Sequence, residues 1–370
     1  MLTCSVFLDI SKAFDSVDHD LLLQKLQFYG VRGLPLELLS SYLNERYQCT
    51  MIDDEISTFR HISCGVPQGS VLAPFLFSVF TNDLPDVTTM ETTLFADDAC
   101  FSYGHHNPVD LEDIVNKELI KISKWYHNNK LSLNEEKSNF ILIHRKKQAI
   151  NLKLTLNNTI MEQKKQVKYL GITIDESLTW KPHINNCLIK LNKCLYAIYK
   201  LRPYTTINTL KLVYNALAYP HIQYCLAVWG GAPKTTLLPL IRKQKNIVRA
   251  MLFKPYTTHS SPLFLKLKLL KLDELYNFKL GLIMHNKIKI ENNIQSNFPL
   301  ISSVHSYSTR SNNGTNFYIS TVQSNLGKTA FSYSGPRVWN TIPLDIRESS
   351  AYQFKYLYKN NLLLNYLPSS

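Results

Sequence analysis

Two adjacent carboxylates, Asp97 and Asp98, stand between Leu94-Phe95-Ala96 and Ala99-Cys100-Phe101. Acidic residues flanked by apolar ones on both sides read as a tight turn joining two half-buried strands, which sets both carboxylates at a hairpin tip. Like charges about 4 Å apart repel by roughly 4 kcal/mol at an effective dielectric near 20. Such a pair shares a proton, holds a cation or is an ordinary acidic turn in solvent. A divalent metal is the simplest chemical resolution, and a further carboxylate is needed to complete it.

Asp9 is the candidate. Leu2 to Leu8 read as a buried strand that runs straight into it. The alternative role for Asp9 is to cap the turn that follows. Asp9 and Asp97 lie 88 positions apart, and they meet if their strands are neighbours in one sheet. Three carboxylates around two cations about 4 Å apart would stabilise the attacking and leaving oxygens of an in-line phosphoryl transfer. A third feature is Ser63-Cys64-Gly65-Val66-Pro67-Gln68-Gly69-Ser70, a loop punctuated by glycine and proline. Glycines ahead of a helix bring backbone amides close to a phosphate or base, or simply make the turn.

The elements that must position these groups follow from periodicity. After Asp9 a helix with Leu21, Leu22, Leu26 and Tyr29 inward stops at Gly30. Residues 34–62 give a short helix and a hairpin around Asp53-Asp54. An apolar helix runs from about Val71 to Leu84, with Ser70 as a cap and Pro74 in its first turn. Leu111, Ile114, Val115, Leu119, Ile122, Trp125 and Tyr126 keep helical spacing over 109–127. Strands are expected at Phe140–Ile143, before and after Asn157-Asn158, and over Val167–Ile172. From Trp180 the period becomes helical, with Pro220 ending the second helix and basic side chains Arg242, Lys243, Lys245 and Arg249 on the third. Residues 291–330, rich in Asn and Ser, read as loop, and a final helix spans about Tyr352 to Leu364.

The formal charge of +13 is unevenly spread: residues 1–110 hold 15 acidic and 5 basic side chains, and the remaining 260 hold 13 and 36. A basic solvated surface gives the same total, but an acidic third ahead of a basic remainder is what a metal centre beside a phosphate-binding surface would look like. Seven scattered cysteines, with no C-x-x-C pair, argue against a zinc site or disulfide framework and fit reduced thiols in an intracellular protein, nuclear or cytoplasmic. The longest apolar run, Val71 to Phe80, is too short to span a bilayer.

With these residues in place the sequence resembles the reverse transcriptases of non-LTR retrotransposons and is similar to the jockey-type elements of animals. Phe7-Leu8-Asp9-Ile10-Ser11-Lys12-Ala13-Phe14-Asp15 matches the family's first palm motif, and Gly65 to Pro74 the second. Phe95-Ala96-Asp97-Asp98 matches the metal-binding hairpin, Leu133 to Lys137 the motif whose lysine approaches pyrophosphate, and Tyr169-Leu170-Gly171 the primer grip.

The resemblance implies an α+β fold: a polymerase palm of antiparallel sheet and packed helices over 1–177, a helical thumb over 178–290, and a loop-rich extension over 291–370. It implies RNA-directed DNA synthesis with Asp9 and Asp97 as ligands of two ions, Mg2+ or Mn2+, and Asp98 in support. Lys137 would be the general acid, Phe14 the gate against ribonucleotides, Gln68 and Gly69 contacts to template or nascent base pair, and Tyr169, Leu170 and Gly171 the primer grip. Phe14 alternatively fills the core, and Lys137 alternatively is a solvated loop lysine. The partners implied are an RNA template, a DNA primer and deoxynucleoside triphosphates, with no membrane. The family carries fingers and usually an endonuclease upstream, so a chain opening on Leu2-Thr3-Cys4 reads as N-terminally truncated. The competing expectation is an inactive remnant that binds nucleic acid through its basic half; an RNA-templated RNA polymerase is disfavoured by Phe14.

Overall fold

The computed structural model describes residues 1–144, 150–290, 298–304 and 315–367, which form two compact units, Met1–Leu178 and Thr179–Ser370. Parts of the stretch read as loop, 291–297 and 305–314, lie outside the described residues.

The first unit contains strands β1 (Leu2–Leu8), β2 (Arg46–Gln48), β3 (Met51–Ile52), β4 (Glu55–Ile56), β5 (Arg60–Ile62), β6 (Glu91–Phe95), β7 (Asp98–His105), β8 (Asn139–Ile143), β9 (Thr155–Leu156), β10 (Thr159–Ile160), β11 (Glu162–Gln163), β12 (Gln166–Tyr169) and β13 (Ile172–Asp175). Its helices are α1 (His19–Phe28), α2 (Leu34–Leu43), α3 (Ala73–Thr81) and α4 (Pro108–Asn128). The main sheet runs β11-β8-β1-β7-β6, antiparallel except for the parallel pair of β11 with β8. Strand β1 is central, and its two faces are buried by different partners. Leu2, Cys4, Val6 and Leu8 join Phe101, Phe140 and Leu142 in a core closed by Leu22 and Leu26 of α1, Phe77 and Phe80 of α3 and Leu119 of α4. On the opposite face Phe7, Cys100 and Ile141 pack with Val167 and Tyr169. Side chains alternate along a strand, so Ser5, Phe7 and Asp9 share that second face. Ser5 Oγ meets Ser102 Oγ there at 2.8 Å.

Polar ties fix the helices. Lys25 Nζ of α1 donates to Asp83 Oδ1 and to the Phe80 carbonyl, both at 2.7 Å. Glu118 of α4 accepts from Thr88 Oγ1 at 2.8 Å and the Thr89 amide at 2.9 Å, which anchors the segment leading into β6. Burial works against the Glu118 charge, but hydrogen bonds from Lys121, Thr89 and Thr88 outweigh it and hold its carboxyl below the ordinary value.

Three local expectations need correction. Val167–Ile172 is not one strand but the hairpin β12/β13, because Leu170 and Gly171 both adopt positive φ, 43° and 80°, and turn the chain. Tyr29 is not inward but exposed, since α1 ends at Phe28 and the chain departs through Gly30. Pro220 does not end the helix Ile207–Leu217; it sits in the first turn of the next, Tyr219–Gln223, where a missing N–H costs nothing.

The second unit is helical. Lys181–Leu201, Ile207–Leu217 and Lys234–Met251 bury Leu191, Cys194, Ile198, Leu210, Tyr214, Leu240 and Ile247. Gln244, buried among them, donates to Tyr214 Oη and to the Leu270 carbonyl, both at 3.1 Å. Leu272–Ile290, Phe331–Trp339 and Ala351–Leu364 complete a second group of helices, with His285 stacked on Phe354 at 4.1 Å. Among the described residues no helix is long and apolar enough to cross a membrane.

Candidate active site

The β1/β7 ladder ends with Leu8 opposite Ala99. Continuing that register by one residue places Asp9 across from Asp98, on the face shared by Phe7 and Cys100. Phe95 pairs with Asp98, so Ala96-Asp97 is a two-residue turn. Ala96 takes φ 52°, a left-handed conformation costing roughly 1–2 kcal/mol for a residue with a Cβ. Asp98 feels both of the other carboxylates. Burial, then Asp97, then Asp9 push the Asp98 pKa above its ordinary value.

Asp9 is the hub of its surroundings. Its amide donates to Ser138 Oγ at 3.2 Å, and its carbonyl accepts from the Asn134 amide at 2.8 Å. Ser138 Oγ donates in turn to the Asn134 carbonyl at 2.7 Å, and the Ser11 amide donates to the Ser132 carbonyl at 2.8 Å. The segment carrying Lys137 is thereby laced to the end of β1. Lys137 Nζ lies 3.9 Å from Asp9 Oδ2, with side chains 71% and 40% exposed. An exposed cation thus already stands beside one of the carboxylates.

The Gly-Val-Pro-Gln-Gly loop is tied to the residues just after Asp9. The Gly65 amide donates to Val17 O at 2.7 Å and the Val66 amide to Phe14 O at 2.8 Å. Gln68 Nε2 donates to Asp15 Oδ1 at 2.8 Å, and the Gly65 carbonyl meets His19 Nε2 at 2.8 Å. Ser70 Oγ accepts from the Ala73 amide at 3.1 Å at the start of α3. Gly69 has φ +84° and open space around its Cα. Phe14 is half-buried, its ring 4.8 Å from that of Phe77, so it has a core contact as well as an open side.

Tyr169 packs on Phe7, ring centroids 5.0 Å apart, on the face that carries Asp9 and Asp98. Burial, with Cys100 and Asp98 adding to it, pushes its phenol up to about 12. Its hydroxyl is buried without a hydrogen-bond partner among the described residues. Leu170 and Gly171 form the turn behind it.

Among the described residues, no group of three or more His, Cys, Asp or Glu converges into a ready-made metal site. Asp9, Asp97 and Asp98 are therefore not a preformed cage: bare carboxylates repel, and Lys137 stands beside Asp9. The donor chemistry nevertheless fits a hard divalent cation. Magnesium takes one or two carboxylates and completes its octahedron with water and substrate phosphate oxygens rather than an all-protein cage.

Sequence reasoning passed over the residues that hold this arrangement. Asp15, Asn134 and Ser138 act through bonds to distant partners and have no local signature. Asp18 had one, because it precedes α1 and its Oδ1 accepts from the Leu21 amide at 3.0 Å as an N-cap. Its Oδ2 meets Lys130 Nζ at 2.6 Å.

Residues 1–174 match the family described as reverse transcriptase, RNA-dependent DNA polymerase. The probable RNA-directed DNA polymerase from transposon BS of Drosophila melanogaster is 29% identical over 289 residues, 73% of this chain and 31% of that protein. The RNA-directed DNA polymerase from mobile element jockey of the same species is 30% identical over 291 residues, with the same coverage. The chain thus spans about a third of the length of these relatives. Among solved structures, telomerase from Candida tropicalis aligns at 10% identity and a TM-score of 0.35, over 80% of this chain and 48% of that one.

Proposed function

We propose that this chain, whose residues 1–174 belong to the reverse transcriptase family, carries the polymerising centre of a retrotransposon's RNA-directed DNA polymerase. The observation that supports the reading most is the β1/β7 register, which sets Asp9 across from Asp98 beside the Asp97 turn. The reaction joins the primer 3′-hydroxyl oxygen to the α-phosphorus of a deoxynucleoside triphosphate, breaks the bond from that phosphorus to the bridging oxygen, and releases a proton and pyrophosphate.

Asp9 and Asp97, with Asp98 in support, would hold two divalent ions, Mg2+ or Mn2+, which when bound supply positive charge at the attacking and leaving oxygens. Lys137 stands on a loop fixed to the Asp9 backbone and, largely exposed, delivers a proton to the departing pyrophosphate. The Phe14 ring, braced by Phe77, would collide with a ribose 2′-hydroxyl and so select deoxynucleotides. Gln68, oriented by Asp15, and Gly69 face the template base of the nascent pair. Tyr169, Leu170 and Gly171 hold the primer end, with Tyr169 fixed by Phe7. Residues 178–290 serve as thumb and 291–370 as its extension, gripping RNA and DNA backbones through basic side chains.

The test is primer extension by the purified chain on a poly(rA) template with an oligo(dT) primer, dTTP and Mg2+. Extension is expected, and Asp97→Ala abolishes it. Incorporation that survives Asp97→Ala, or RNA binding with no synthesis under Mg2+ or Mn2+, overturns the reading.

A further inference from the structure

From Ser177 to Leu272 the chain has no Asp or Glu and 15 Lys or Arg. In this stretch a polyanion finds nothing to repel it. Helix Lys181–Leu201 buries Ile184, Cys187, Leu191, Cys194 and Ile198, and its opposite stripe of Ile189, Lys193, Tyr196, Tyr199 and Lys200 is exposed at helical spacing. That stripe sets two rings between two cations. Lys200 Nζ sits 5.7 Å from the Tyr196 ring. At the helix end the Arg202 guanidinium lies 4.7 Å from the Tyr199 ring and 5.5 Å from the Phe253 ring. Tyr196, Tyr199 and Phe253 are 65%, 47% and 53% exposed, so three rings stay in water although their hydrophobic area favours cover. Neither Lys200 nor Arg202 forms a salt bridge among the described residues.

We propose that this face is a stacking platform for unpaired RNA bases, the Tyr196, Tyr199 and Phe253 rings and the Arg202 plane receiving bases while Lys193 and Lys200 meet phosphates. Charge chooses the occupant: an acid-free stretch with 15 cations selects a polyphosphate over an apolar protein surface, and exposed rings select a strand whose base faces are free. A duplex hides those faces inside its own stack. The proposal rests on the function above only for the identity of the strand, which is the unpaired part of the template. The platform lies beyond residue 174, where the family match ends.

The test is fluorescence anisotropy with the full chain, a labelled oligo(rA) of about 12 nucleotides, and EDTA in place of metal, so that catalysis plays no part. The same strand is measured abasic and annealed to oligo(dT). Tyr199→Leu and Tyr196→Leu each keep apolar bulk but lose the ring, and Arg202→Lys keeps charge but loses the plane. Each should weaken oligo(rA) binding by about 5- to 100-fold, the worth of one stacked base, with little change for the abasic strand or the duplex. Thermal melts matching the unsubstituted protein confirm the fold, and Tyr196, the most exposed ring of the three, serves where Tyr199→Leu unfolds. Equal losses for single strand, abasic strand and duplex reduce the face to phosphate contacts and overturn the platform. Unchanged RNA affinity together with loss of self-association in the same variants assigns the face to a second copy instead. Failure of primer extension with intact ring-dependent binding would sink the polymerase reading alone.

Discussion

Gly65→Ala tests whether the catalytic loops are held together by a backbone contact. A Cβ on Gly65 would lie 2.8 Å from the Asp15 Cα and 2.8 Å from its carbonyl oxygen, where unstrained carbon contacts need about 3.5–4.0 Å. Those atoms are backbone and cannot rotate away, so the loop must withdraw. Withdrawal loosens the bonds from Gly65 N to Val17 O at 2.7 Å and from Val66 N to Phe14 O at 2.8 Å, each worth about 1 kcal/mol. The φ of +90° adds roughly 1–2 kcal/mol for a residue with a Cβ. The whole is about 3–4 kcal/mol. Gly69→Ala is the internal control, because Gly69 has nearly the same φ, +84°, with nothing within 4 Å. It should cost only the conformational part. The expected difference of about 2 kcal/mol corresponds to a midpoint about 1 M lower in urea for Gly65→Ala, taking a slope near 2 kcal/mol per M. Hydrogen exchange of peptides from residues 1–178 against urea reads this unit alone. Equal midpoints for the two variants would refute the claim that the loop is seated on the Asp15 backbone.

Asp98→Asn should stabilise the metal-free protein while removing synthesis. Its folded pKa is raised by burial, then by Asp97 and Asp9, so its favourable contribution exists while protonated and is lost as pH rises through that raised value. The asparagine variant should gain about 1 kcal/mol at neutral pH, a Coulomb term at ~5 Å under strong solvent screening, and nothing near about pH 3; thermal melts at the two pH values check it. Lys25→Met keeps the packing over the Phe80 and Trp125 rings, each 4.8 Å from Nζ, but strands Asp83 and the Phe80 carbonyl. It should lower stability by about 1–3 kcal/mol in urea, and a neutral result would show the Lys25 bonds to be incidental. Lys137→Gln should slow primer extension about 100-fold with duplex affinity unchanged; an unchanged extension rate would end its role as proton donor.

Which parts of this site were legible in the sequence follows from what kind of signal each residue leaves. Asp9 and Asp97-Asp98 could be read because a carboxylate ending or interrupting an apolar run conflicts with its surroundings, and the conflict shows in one dimension. Their meeting could only be inferred from chemistry, since the pairing of Leu8 with Ala99 joins residues 91 positions apart. The hairpin at Leu170-Gly171 was missed because Leu170 takes a left-handed φ that its side chain disguises, whereas Asn157-Asn158, with φ of 48° and 71°, announces its turn by residue type. Asp15, Asn134 and Ser138 stayed invisible for a different reason. A polar residue in a loop has many solvated alternatives, and nothing local marks the one whose partner is 53 or 129 positions away. The reactive residues of this chain are therefore declared by type and the ones that orient them by fold alone. Substituting Ser138 by alanine touches no substrate, yet it unties the Lys137 segment from the Asp9 amide and exposes that division of labour directly.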